Sequence, residues 1–192
     1  LGEANKGENL LNMFDKIQKF GPAPNAYTYT IVLNFYCKGQ AVDIGKAICI
    51  FKEMEKKGVE PTVVTYSTLI SGLCEAGRLE DAIEFINDMR CTKQPLNSYC
   101  YNHVMRGFCL KGEPHEALSI LEDMKSYGVT PDMYSYGILI NGFCRIGNLE
   151  KGLDLIAEME SNNLKPSLAC YGPLLKGISD DGLIDISLDV YN

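Results

Sequence analysis

The side chains here with the most chemistry in them are eight cysteines and two histidines. Cys37, Cys74, Cys109 and Cys144 are the obvious set for a metal centre. A structural zinc site gathers four ligands about 2.3 Å from one point and usually takes them from tight pairs such as C-x-x-C. No such pair occurs, and the four thiols are separated by 37, 35 and 35 residues. That spacing gives one thiol to each of four successive units. Cys100 and Cys170 also share one position of the series. The pattern reads as small buried thiols in a reducing compartment, so neither a metal nor another cofactor is expected. His103 and His115 have no organised partners and read as surface residues. There is no H-x-E with P-C-x-x-C, no cluster of catalytic carboxylates and no phosphate-binding loop. The sequence therefore reads as a chain that does not catalyse.

The cysteine spacing belongs to a repeat that covers the whole chain. Tyr66, Tyr101, Tyr136 and Tyr171 stand 35 apart, and so do Met54, Met89, Met124 and Met159. Ala47, Ala82 and Ala117 keep the same step, with Gly152 next. Tyr29 and Cys37 precede their successors by 37, which places two extra residues in one repeat, within Gly39 to Asp43. Pro61, Pro131 and Pro166 close three units, and Pro95 closes another one residue early. The expected units are 26–62, 63–97, 98–132, 133–167 and an incomplete 168–192. Residues 1–25 match the second half of a preceding unit. Both ends then fall inside a repeat, which points to a processed form or a window of a longer chain.

Each unit reads as a helical hairpin. In 63–97, Tyr66, Leu69, Ile70 and Leu73 recur at helical spacing, as do Leu79, Ala82, Ile83, Ile86 and Met89. Ala76-Gly77 separates the two segments, and Gly147 and Gly182 occupy the same place later. A glycine there permits the left-handed residue that ends a helix. Gly58, Gly128 and Asn163 end the second segments, and Pro114 falls in a first turn, where a missing N–H costs little. One hairpin cannot bury its own apolar face. The expected fold is therefore all-α, an α-solenoid of stacked antiparallel helix pairs, with Gly72, Gly107, Gly142 and Ala82 allowing close helix approach.

Composition agrees with this fold and removes alternatives. At 46% apolar residues in 192, the chain is neither disordered nor collagen-like. No apolar run nears the roughly 18 residues of a membrane span, and no membrane partner is expected. A net charge of −7 excludes a strongly basic nucleic-acid domain but not a local basic face. Lys38, Arg106, Arg145 and Lys176 outnumber Glu75 and Asp180 on the first segments of the hairpins. The negative charge lies on the second segments, at residues such as Glu80, Asp81, Glu84 and Asp88.

The run from Val63 to Ala82, V-V-T-Y-S-T-L-I-S-G-L-C-E-A-G-R-L-E-D-A, resembles the pentatricopeptide repeat of the pure, or P, type. Its 35-residue step and terminal proline separate it from the 34-residue tetratricopeptide repeat, whose ligands are peptides. The resemblance implies sequence-selective binding of single-stranded RNA in plant organelles, one base per repeat. It implies a mitochondrial location, or alternatively a chloroplast, and no small-molecule substrate. In that family the fifth and last residues of a repeat contact the base edge, and the second residue packs on the base face.

By this resemblance the fifth positions are Thr30, Ser67, Asn102 and Gly137, with Gly172 in the incomplete unit. The last positions are Thr62, Asn97, Asp132 and Ser167, and the second positions are Tyr27, Val64, Tyr99 and Tyr134, followed by Ala169. Asn102 with Asp132 resembles the combination for uracil, Ser67 with Asn97 one for adenine, and Thr30 with Thr62 a purine combination. Gly137 with Ser167 departs from the code, because glycine has no side chain to read an edge. The position where the family often places lysine holds Lys38, Glu75, Leu110, Arg145 and Asp180, which predicts a shallow salt dependence.

Other roles fit the same residues. Every last-position residue is a good helix N-cap, and the tyrosines could stack on bases or pack on a neighbouring helix. The alternative function is a structural component of a large ribonucleoprotein such as the mitochondrial ribosome, contacting ribosomal RNA and ribosomal proteins by shape. A guide for an attached nuclease or deaminase and a peptide-binding solenoid are further readings.

Overall fold

A computed structural model describes residues 4–38, 42–92 and 95–180. Within them all regular structure is helical, with ten helices and no strand. The two residues inserted within Gly39 to Asp43 fall largely outside the described residues, as does Gly182. The chain forms two compact units, residues 1–96 and 97–192.

The first unit holds α1 (Ala4–Phe20), α2 (Ala26–Lys38), α3 (Ile44–Lys56), α4 (Val63–Glu75) and α5 (Leu79–Cys91). The second holds α6 (Ser98–Lys111), α7 (Pro114–Ser126), α8 (Met133–Arg145), α9 (Leu149–Ser161) and α10 (Leu168–Asp180). In the first unit α2 pairs with α3 and α4 with α5, and α2 packs on α4. In the second, α6 pairs with α7 and α8 with α9, and α6, α8 and α10 pack side by side. The first helices of successive hairpins thus form one layer in each unit and the second helices the other.

Local chemistry sets where these helices begin and end. Thr62, Asn97 and Asp132 cap α4, α6 and α8, each accepting an N–H from three residues on. Gly77 and Gly147 adopt the left-handed conformation just after α4 and α8, as the repeat predicts. Pro114 is at the first turn of α7.

The core is the periodic set. Tyr29, Tyr66, Tyr101 and Tyr136 are fully buried, as are Met54, Met89, Met124 and Met159. Burial of each such side chain contributes about 1.5–3 kcal/mol. Phe85 is buried on α5 where Ile83 was expected, and Ile83 is only half-buried. Phe85 faces Phe51, which also meets Tyr66 edge-on, with both ring centroids 5.2 Å away. His103 is half-buried, with its ring 4.4 Å from that of Tyr99, rather than a free surface residue.

The eight thiols differ in burial, with Cys74 and Cys144 half-buried between two extremes. Cys37, Cys100, Cys109 and Cys170 are buried, while Cys49 and Cys91 are exposed on second helices. Burial pushes the Cys37 and Cys109 thiols up to about 11. Iodoacetamide at pH 8 is expected to label Cys49 and Cys91 within minutes and Cys37 and Cys109 only on unfolding, because the thiolate is the nucleophile. Peptide mass mapping checks this, and fast labelling of Cys37 or Cys109 in the folded chain would contradict the packing.

Candidate nucleic-acid interface

The predicted reading residues sit on the first helices and at their caps. Their geometry is clearest at Asn102, on α6. Its side chain is 4% exposed. Its amide nitrogen donates to Asp132 Oδ1 at 3.4 Å, and its amide oxygen accepts from the Ser135 hydroxyl at 2.7 Å. Asp132 caps α8, accepting the Ser135 N–H at 2.8 Å, and it also accepts the Ser98 hydroxyl at 3.1 Å. Burial pushes the Asp132 carboxyl up, but the hydrogen bonds from Ser135, Ser98 and Asn102 outweigh it and hold the group below the usual carboxylate range. Asp132 therefore stays charged at neutral pH. An ionised carboxylate accepts only, so it fixes the Asn102 amide with its nitrogen toward Asp132.

The first unit repeats this arrangement with hydroxyls alone. Thr30 Oγ1, on α2, donates to the Ala26 carbonyl at 2.7 Å and lies 2.9 Å from Thr65 Oγ1. Thr65 Oγ1 lies 3.0 Å from Thr62 Oγ1 and accepts the Thr62 N–H at 3.1 Å. Each hydroxyl has one proton. Thr30 gives its proton to Ala26, so Thr65 donates to Thr30 and Thr62 donates to Thr65. Capping thus accounts for the chemistry of Thr62 and Asp132, and the same atoms tie each to the fifth-position side chain of its repeat.

The remaining positions are less organised. Ser67 is half-buried on α4, and Asn97 accepts the Cys100 N–H at 3.2 Å as the cap of α6. They belong to different units. Gly137 has open space where a β-carbon would be. With Ser167 it lines a groove of about 610 Å³ in the second unit, together with Tyr134, Arg106 and Arg145. The second-position side chains point outward: Tyr27 is 74% exposed, Val64 63%, Tyr99 49% and Tyr134 57%. This leaves their faces open to solvent, although the Tyr99 ring also meets that of His103.

One cation of this layer is held by one of the layer's own acids. Lys38 is paired with Glu75 at 3.6 Å. Arg106 and Arg145 are exposed and make no ion pair among the described residues. Sequence reasoning passed over Thr65 and Ser135, the third residues of their repeats. Their signal was present as a hydroxyl three residues after the last-position residue, the spacing of a capping box.

The fold and its polar pairs define an all-α helical-hairpin repeat solenoid that carries recurring polar groups along its first helices. Models of the PPR repeat match residues 27–59, 57–90 and 134–164, and a model of the PPR repeat family matches 96–145. Together they cover more than half of the sequence, and the chain belongs to the pentatricopeptide repeat family. A chloroplastic pentatricopeptide repeat-containing protein of Arabidopsis thaliana is 29% identical over 91 residues, which is 47% of this chain and 9% of that protein. The chain therefore spans only a small part of that relative. The crystal structure of the pentatricopeptide repeat protein PPR10 in complex with an 18-nt psaJ RNA element matches with a TM-score of 0.71 at 24% identity, over 86% of this chain and 24% of that one. The PPR domain of Arabidopsis thaliana protein-only RNase P 1, in complex with tRNA, matches with a TM-score of 0.73 at 19% identity, over 91% of this chain and 92% of that one. These two likenesses are of fold.

Proposed function

We propose that the chain is a sequence-selective module for single-stranded RNA, reading one base per repeat and acting in organellar RNA metabolism. The observation that carries this is the Asn102–Asp132 pair, in which a nearly buried amide is held in one orientation by a charged carboxylate. Uracil offers an acceptor at O4 and a donor at N3, which an amide of fixed orientation can match. The exposed tyrosines at the second positions supply stacking surfaces worth about 1–3 kcal/mol per base. Both solved neighbours named above were crystallised with RNA, and the chloroplastic name of one relative supports an organelle, with mitochondrion or chloroplast open to targeting experiments. In this reading the chain binds and does not cut.

The test is binding to a randomised single-stranded RNA pool at two salt concentrations, beside Asn102→Thr. Wild type should enrich uridine at one step, and the variant should lose that preference at that step alone. If neither enriches any sequence, the structural ribonucleoprotein reading takes over, with ribosomal RNA and ribosomal proteins as partners. The open space at Gly137 and the Lys38–Glu75 pair favour that second reading.

A further inference from the structure

Beside both well-formed reading pairs stands a hydroxyl from the next repeat. Ser135 follows Asn102 and Asp132, and Thr65 follows Thr30 and Thr62. In each case the hydroxyl lies within 3.0 Å of both members of the pair or of their reading atoms: 2.7 and 3.0 Å for Ser135, 2.9 and 3.0 Å for Thr65. Both residues are buried, Thr65 and Ser135 each being 0% exposed. Neither can touch a base, so any influence on recognition passes through the pair.

We infer that the third-position hydroxyls Thr65 and Ser135 are positioning residues for base discrimination, donating a proton to the reading atom of the preceding repeat and so fixing which way that group faces RNA. This rests on the base-reading function proposed above. The Thr65 proton goes to Thr30 Oγ1, because Thr30 has given its own to Ala26. Thr30 is left with acceptor capacity only. The shorter Ser135 contact is to Asn102 Oδ1, so that oxygen keeps one lone pair and the amide nitrogen stays on Asp132. A rotated amide would set its oxygen against the Asp132 carboxylate. Discrimination of uracil from cytosine needs this fixed polarity, since the two pyrimidines present opposite donor and acceptor patterns at their 3 and 4 positions. Where the third residue is Cys100 or Cys170, the thiol is a weaker donor than a hydroxyl.

The experiment is selection from a randomised single-stranded RNA pool with the whole chain, comparing wild type, Ser135→Ala, Ser135→Thr and Thr65→Val. Ser135→Ala should lower the uridine-to-cytidine ratio at the Asn102 step about three- to tenfold, the worth of one hydrogen bond, and leave the other steps as they were. Ser135→Thr should restore it. Thr65→Val, nearly the same shape without the hydroxyl, should weaken the preference at the Thr30 step and spare the Asn102 step. An unchanged ratio in Ser135→Ala overturns the inference. So does an equal loss at every step, which marks a purely structural role. If wild type itself prefers no base at any step, it is the base-reading proposal that fails.

Discussion

Asp132→Ala is expected to abolish the uridine preference of its repeat and to destabilise the second unit by about 2–3 kcal/mol. Three losses combine. The N-cap of α8 goes, which alone costs about 1 kcal/mol. The Asn102 amide nitrogen, in a side chain only 4% exposed, loses its acceptor. The Ser98 hydroxyl loses its partner as well, and unpaired buried groups cost about 1–3 kcal/mol each when water cannot replace the bond. Asp132→Asn separates these effects. Asparagine caps as well as aspartate, so stability should fall by less than about 1 kcal/mol. Its amide, however, can accept from Asn102 or donate to it, so the reading amide is held by Ser135 alone and uridine should lose much of its advantage over cytidine. Urea unfolding followed by circular dichroism measures the first effect and pool selection the second. Full uridine preference in Asp132→Asn would show that the charge does not orient Asn102.

The pH dependence has the same origin. The folded Asp132 carboxyl lies below the usual range, so its contribution is fully present above the unfolded value of about 3.9. It is lost as pH falls through the folded value, because the unfolded chain then binds the proton more readily. Thermal stability of the wild type should therefore drop below about pH 4 more steeply than that of Asp132→Asn.

The fold was legible in the sequence because periodicity encodes it. The tyrosine and methionine columns mark buried faces, and Gly77 and Gly147 mark helix ends whatever the neighbouring repeats contain. Ile83 and Phe85 show the limit. Both are apolar and two positions apart, and the choice between them depends on where Phe51 on α3 stands. The site was legible only as a set of positions. Asn102 and Asp132 are 30 residues apart, and their contact exists because α6 and α8 pack side by side. The role of Ser135 was hidden because a capping serine and a base-positioning serine are the same residue at the same place. The pairing of charges was hidden for a related reason. A one-dimensional count gives the balance of the layer, with Glu75 already set against Lys38, but not that these two charges stand together.

Gly142→Ala should destabilise the second unit by about 1–2 kcal/mol, against the direction that helix propensity sets. Alanine is favoured over glycine in a helix interior by roughly 1 kcal/mol. A β-carbon on Gly142, however, would lie within van der Waals overlap of Cys109 Sγ, 3.0 Å from Cys109 Cβ and 3.3 Å from Pro114 Cβ. Those atoms belong to α6 and the start of α7, so α8 would have to move away from both, and overpacking of this kind costs about 1–3 kcal/mol. A double-mutant cycle identifies the cause. Cys109→Ala removes the sulfur and leaves the β-carbon at 3.0 Å, so it should recover about 1 kcal/mol in the Gly142→Ala background while costing about 1 kcal/mol in wild type. Gly72 gives the contrasting case. Its β-carbon would meet Cys37 Cβ itself at 2.6 Å, an atom alanine keeps, so Cys37→Ala should not rescue Gly72→Ala. Equal costs of Cys109→Ala in both backgrounds, or a higher unfolding midpoint for Gly142→Ala, would mean that the helices can separate freely and that the glycine is not what sets their approach.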